Sequence, residues 1–185
     1  MTRLVSLALA CTLAFAAPAF AAGGGSDGGG SSGGSSGGGN GSPTAQQCKK
    51  GEVWSASKKK CVKAESGILT DEDLYQQGRA LAKEAHYDWA IEVLSAIQDQ
   101  EDPRVLNYLG YANRKAGRLD IGITYYQKAL AIDPNFNLAR EYLGEGYLAA
   151  GRVDLAMAQL EAIGKSCGTS CEEYQDLQAA IKAVQ

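Results

Sequence analysis

Few side chains in this sequence have chemical potential. In 185 residues there are five cysteines and one histidine. Cys48 and Cys61 are separated by twelve residues, Cys167 and Cys171 by three. Neither spacing is the Cys-x2-Cys hook of a zinc site, and the lone His86 cannot build a histidine cluster. Cys167-Gly-Thr-Ser-Cys171 also lacks the two-residue spacing and βαβ surroundings of a thiol oxidoreductase. Gly144-Glu-Gly146-Tyr-Leu-Ala149 fits the loose dinucleotide fingerprint, but it lies in a helical pattern with no strand before it. The acidic pairs Asp71-Glu72 and Glu172-Glu173 fall at helix starts, where the helix dipole suits them without a catalytic role. No acid, base and nucleophile converge. The expectation is a protein that is not an enzyme and holds no cofactor and no metal.

The chemistry left to the cysteines is disulfide formation, which depends on compartment. Residues 1–21 have the layout of a cleavable secretory signal peptide. Arg3 gives a positive start, Leu4 to Ala17 is an uncharged apolar run, and Ala19-Phe20-Ala21 is a small-x-small cleavage site. The protein is therefore expected to be periplasmic or secreted. Cleavage removes Cys11 and leaves an even set of four, which argues for two disulfides in one of three pairings. Residues 22–44 are almost all Gly and Ser. They offer no apolar surface to offset chain entropy and are expected to form a disordered spacer.

Charge divides the remainder. Residues 45–65 carry six lysines against two glutamates, whereas residues 66–185 carry 11 basic against 18 acidic side chains. An acidic main domain argues against a nucleic-acid partner. The basic stretch, CKKGEVWSASKKKCVK, reads as a disulfide-closed β-hairpin with Ser55-Ala56-Ser57 near its turn. Its lysines, among them Lys58, Lys59 and Lys60, would allow weak contact with an anionic envelope polymer or membrane surface, with Trp54 adding apolar contact. The plainer reading is a cap that packs Trp54 on the next element and leaves the lysines in water.

The elements that must position any site come from an internal repeat. Residues 106–134 and 140–168 align with a period of 34: Gly110 with Gly144, Gly117 with Gly151, Tyr126 with Leu160. A weaker copy, Leu74 to Ile97, places Gly78 only 32 residues before Gly110. Each copy reads as two helices. Asp102-Pro103 is a cap followed by a first-turn proline, and Gly117 suits a helix stop in the left-handed region. Leu119 to Ile132 carries an apolar stripe, and Thr70-Asp71-Glu72-Asp73 is a capping-box pattern. Residues 172–184 form a last amphipathic helix, expected to cover the open face of the stack.

These positions resemble the tetratricopeptide-repeat (TPR) family. Leu109-Gly110 and Leu143-Gly144 match its Leu-Gly pair. Ala90, Gly122 and Ala156 take its small place, Ala129 its second alanine, and Pro134 its proline. Asn113 departs from the family tyrosine and Arg140 from its tryptophan. The resemblance implies an all-α solenoid of about three helix-turn-helix repeats plus a C-terminal capping helix over 66–185, preceded by the small hairpin of 45–65. It also implies a concave groove lined by the first helix of each repeat. The groove candidates are Tyr75, Arg79 and Lys83, then Asn107, Tyr111, Arg114 and Lys115, then Glu141, Glu145 and Leu148. Family members that bind chaperone tails clamp a peptide carboxylate; here Glu141 and Glu145 would repel one, so that clamp is not expected. The implied function is a non-catalytic scaffold for a protein or peptide partner. Because repeat domains make mostly local contacts, the favoured pairing is Cys48–Cys61 and Cys167–Cys171.

Overall fold

The computed structural model describes residues 48–65 and 67–184. The signal-peptide reading of 1–21, with Cys11, and the spacer reading of 22–44 lie outside the described residues. Two strands are followed by seven helices among the described residues: β1 (Glu52–Ser55), β2 (Lys60–Lys63), α1 (Asp71–Lys83), α2 (Tyr87–Ser95), α3 (Pro103–Lys115), α4 (Leu119–Ile132), α5 (Asn137–Ala149), α6 (Val153–Cys167) and α7 (Glu172–Lys182). No described helix is long and apolar enough to cross a membrane.

The helix boundaries follow the capping chemistry. Thr70 Oγ1 accepts the Asp73 amide at 3.1 Å, and Asp73 Oδ2 in turn accepts the Thr70 amide. The Asp102 carboxylate accepts the Arg104 amide at 2.8 Å ahead of Pro103. Each repeat then turns in the same way. The amides of His86, Arg118 and Arg152 donate to the carbonyls of Leu81, Asn113 and Tyr147 at 2.9, 2.9 and 2.8 Å. This closure needs a positive φ one residue earlier, met by Gly117 (84°) and Gly151 (71°) but by Ala85 (65°) in the first repeat.

Three helix pairs stack in order, and α7 packs on both α5 and α6 as the first helix of a further repeat would. Leu109, Leu143 and Leu177 recur every 34 residues and are all buried. Gly110 admits its partner helix closely: a Cβ there would lie 2.7 Å from the Tyr126 ring and 3.1 Å from the Gly122 carbonyl. Gly144, expected to act likewise toward α6, instead makes room for Leu177 of α7, 2.6 Å from where its Cβ would be. Leu160, at the place Tyr126 fills in the preceding repeat, is only partly buried, and the capping helix supplies the side chain over that glycine.

The core forms two main clusters, one around α1–α3 and one around α4–α7, and Tyr111 packs against both. The hairpin closes the front of the first cluster. Its strands are antiparallel with Val53 opposite Val62 and Trp54 opposite Cys61, and the Cys48–Cys61 disulfide ties its base. The second bridge, Cys167–Cys171, joins the end of α6 to the N-cap of α7. Both pairings are the nearest-neighbour ones. The residue that seals the front is Val53, fully buried beside Leu69 and Leu74, rather than Trp54. Successive strand residues face opposite ways, so burying Val53 turns Trp54 outward.

Candidate peptide-binding groove

α1, α3 and α5 lie side by side, with α7 next to α5. Their shared face holds a cavity of about 480 Å³. Its floor is a run of tyrosines. The rings of Tyr108 and Tyr111 are 6.2 Å apart, and those of Tyr111 and Tyr142 are 5.2 Å apart. Tyr108 and Tyr142 are nearly buried, which fixes their rings, while Tyr111 stays partly open.

Cations from α1 and α3 rest on this floor. Arg79 Nε donates to the Tyr108 hydroxyl at 3.0 Å, and Lys83 Nζ donates to the Tyr142 hydroxyl at 2.7 Å. The same ammonium lies 4.9 Å from the Tyr111 ring centre and 5.3 Å from that of Tyr142, within cation–π range. Lys115 Nζ stands 5.7 Å from Tyr111. The other rim is acidic: Glu141 and Glu145 from α5, and Glu172, Glu173 and Asp176 from α7. Burial pushes the Glu141 carboxyl up to about 8, and the nearby Glu145, Asp176 and Glu173 push the same way against a small opposing effect of Lys83.

Of the residues singled out from sequence, Arg79, Lys83, Tyr111, Lys115, Glu141 and Glu145 line this cavity. Three of the groove candidates do not. Asn107 is fully buried, and neither side-chain amide atom has a hydrogen-bond partner. Tyr75 is buried edge-on against Tyr108 and beneath Arg104. Arg114 is turned inward, where its guanidinium donates to Glu145 at 2.5 Å and to the Tyr126 hydroxyl at 3.2 Å. It braces α3 against α4 and α5 rather than facing a ligand. Leu148 is also absent from the lining. The sequence reading missed Tyr108, Tyr142, Leu138 and the three acids of α7. A signal existed for three of these: Tyr108, Tyr142 and Asp176 recur every 34 residues.

The basic hairpin is separate from this groove. Lys49, Lys50, Lys58, Lys59, Lys60 and Lys63 are all exposed. His86 is an exposed residue at the start of α2, as expected of a turn.

Residues 113–181 match the tetratricopeptide-repeat family model. No curated protein matches the sequence. Among solved structures the chain is similar to MamA, with 22% identity and a TM-score of 0.55 over 64% of this chain and 70% of that one. It is also similar to the Yersinia enterocolitica type III secretion chaperone SycD in complex with a peptide of the translocator YopD (21% identity, TM-score 0.54, 64% and 93% covered). A third likeness is to the first TPR of Spaghetti (RPAP3) bound to the HSP90 peptide SRMEEVD (18%, 0.54, 62% and 93%). The fold is a TPR solenoid of three helix pairs with a capping helix. The family match over its second half and these neighbours together support a tetratricopeptide-repeat protein.

Proposed function

We propose that the protein is a non-catalytic adaptor, exported to the periplasm or secreted, that holds a peptide or a segment of a partner protein in its concave groove. The observation that carries this reading is the tyrosine-floored cavity of about 480 Å³ between α1, α3, α5 and α7. Fixed tyrosine rings offer large contact area at low entropy cost, and charged rims of both signs supply orientation. Solved TPR neighbours with bound peptides support the same use of the fold. The N-terminal signal pattern and two disulfides support export.

The test is photo-crosslinking in living cells, with the crosslinker at Tyr111 in the groove and, separately, at Lys59 in the hairpin turn. A discrete protein adduct at Tyr111 alone is the expected result, and mass spectrometry then gives the partner. No adduct at Tyr111, with a smeared polymer or lipid adduct at Lys59, overturns it in favour of an envelope-surface binder. Cell fractionation tests the export half of the reading.

A further inference from the structure

We infer that the α7 end of the groove receives a positively charged side chain, a lysine or arginine of the bound peptide, against Glu141 and the tyrosine floor. This rests on the peptide-binding reading of the groove and adds the chemistry of its ligand.

The argument starts from Glu141. It is 5% exposed, it lines the cavity, and it makes no hydrogen bond and no ion pair among the described residues. A carboxylate so placed lacks most of its water and has no donor in exchange, a costly state that a cationic ligand would relieve. Its neighbours do not relieve it. Glu145 is already paired with Arg114, and Glu173 and Asp176 of α7 are acids with no ion pair among the described residues. α4 and α6 also pack on α5 but contribute nothing to the lining.

The chain's own cations stay on the far side. Arg79, Lys83 and Lys115 make no ion pair among the described residues; each sits on a tyrosine. Lys83 shows that the faces of Tyr111 and Tyr142 accept an ammonium. A ligand cation arriving from the α7 side would meet those rings and the unneutralised carboxylates together.

The raised pKa of Glu141 adds a second readout. The carboxyl is largely protonated at neutral pH, so a cation that binds its ionised form must displace a proton. Binding of an arginine peptide therefore tightens as pH rises from 6 to 9. Glu145, Glu173 and Asp176 raise the Glu141 pKa, and Lys83 opposes them.

The experiment screens the full mature chain against random heptapeptides, N-acetylated and C-amidated so that no terminal charge competes. The expected result is selection of Lys or Arg at one position. Affinity for those peptides falls at least about tenfold in Glu141→Gln with Asp176→Asn, and the rise with pH disappears in the isosteric Glu141→Gln alone. Selected peptides without Lys or Arg, lost on Tyr111→Ala, overturn the inference while the groove reading stands. Selected basic peptides insensitive to both acid variants, with no pH response, also overturn it. No selection, or binding unchanged by Tyr111→Ala, removes the groove reading and this inference with it. Circular dichroism of each variant confirms that the fold is intact.

Discussion

The side-chain amide of Gln77 pairs with both backbone groups of Trp54. Trp54 N donates to Gln77 Oε1, and Gln77 Nε2 donates to the Trp54 carbonyl, each at 2.7 Å. Gln77 thus completes the open edge of β1 as a further strand would. It precedes Gly78 just as Leu109 precedes Gly110 and Leu143 precedes Gly144. Those leucines meet helices, whereas Gln77 meets a strand. Gln77→Leu leaves two backbone groups without partners and is expected to cost about 1–3 kcal/mol. Urea denaturation measures the loss, and amide exchange at Trp54 should speed up more than exchange in α5.

Ala85 carries a φ of 65° at the place Gly117 and Gly151 hold in the next two repeats. A Cβ in the left-handed region costs about 1–2 kcal/mol, partly offset by the extra freedom a glycine would have in the unfolded chain. Ala85→Gly is expected to stabilise the domain by about 0.5–1 kcal/mol, raising Tm by roughly 2–4 °C. A thermal melt that moves down shows that the strain is relieved in some other way.

The two glycines of the Leu-Gly pairs should respond differently to a methyl group. In Gly110→Ala the new carbon meets the Tyr126 ring and the Gly122 backbone, so α3 and α4 must separate; a global loss of about 2–3 kcal/mol is expected. In Gly144→Ala it meets only the side chain of Leu177, so the damage should be confined to α7. Hydrogen exchange by segment distinguishes them: all helices weaken in the first variant, α7 alone in the second.

Glu141 gives stability a pH dependence of unusual sign. Its folded pKa is about 8, above the unfolded value near 4.5. Between these values the folded chain binds the extra proton, so its contribution to stability is greatest below about pH 4.5 and is lost as pH rises through 8. Glu141→Gln cannot ionise. It should flatten this part of the pH profile and stabilise the fold at pH 8 by at least about 1 kcal/mol. Chemical denaturation at pH 5.5, 7 and 8.5 checks both statements.

The architecture was readable because each of its determinants is local or periodic. Gly110 and Gly144 mark the register, Asp102-Pro103 and Thr70 mark helix starts, and Gly117 marks a stop. The groove was read less well. The reading chose Asn107 and Glu141 on α3 and α5, but the tyrosines just after them, Tyr108 and Tyr142, form the floor. Glu141 does line the cavity while Asn107 is buried, a difference that depends on neighbouring helices and leaves no trace in spacing. The acids of α7 were read as dipole partners. Carrying the 34-residue period through Leu177 would have placed Asp176 in line with Tyr108 and Tyr142. Trp54, the more conspicuous apolar residue of the hairpin, drew the packing role that strand alternation gives to Val53.

The two disulfides stand at opposite ends of the stack, one in the hairpin before α1 and one between α6 and α7. In a linear array the terminal units have one neighbour each, so opening starts at the ends and runs inward like a fraying rope. A covalent stitch at each end restrains the segments with the least support from neighbours. The middle pair, α3 and α4, has a neighbour on both sides and carries no cysteine. Peptidases act on transiently opened chain, so the bridges guard the sites where digestion would otherwise begin. Under reducing conditions the same molecule would unravel from both tips while its centre still held.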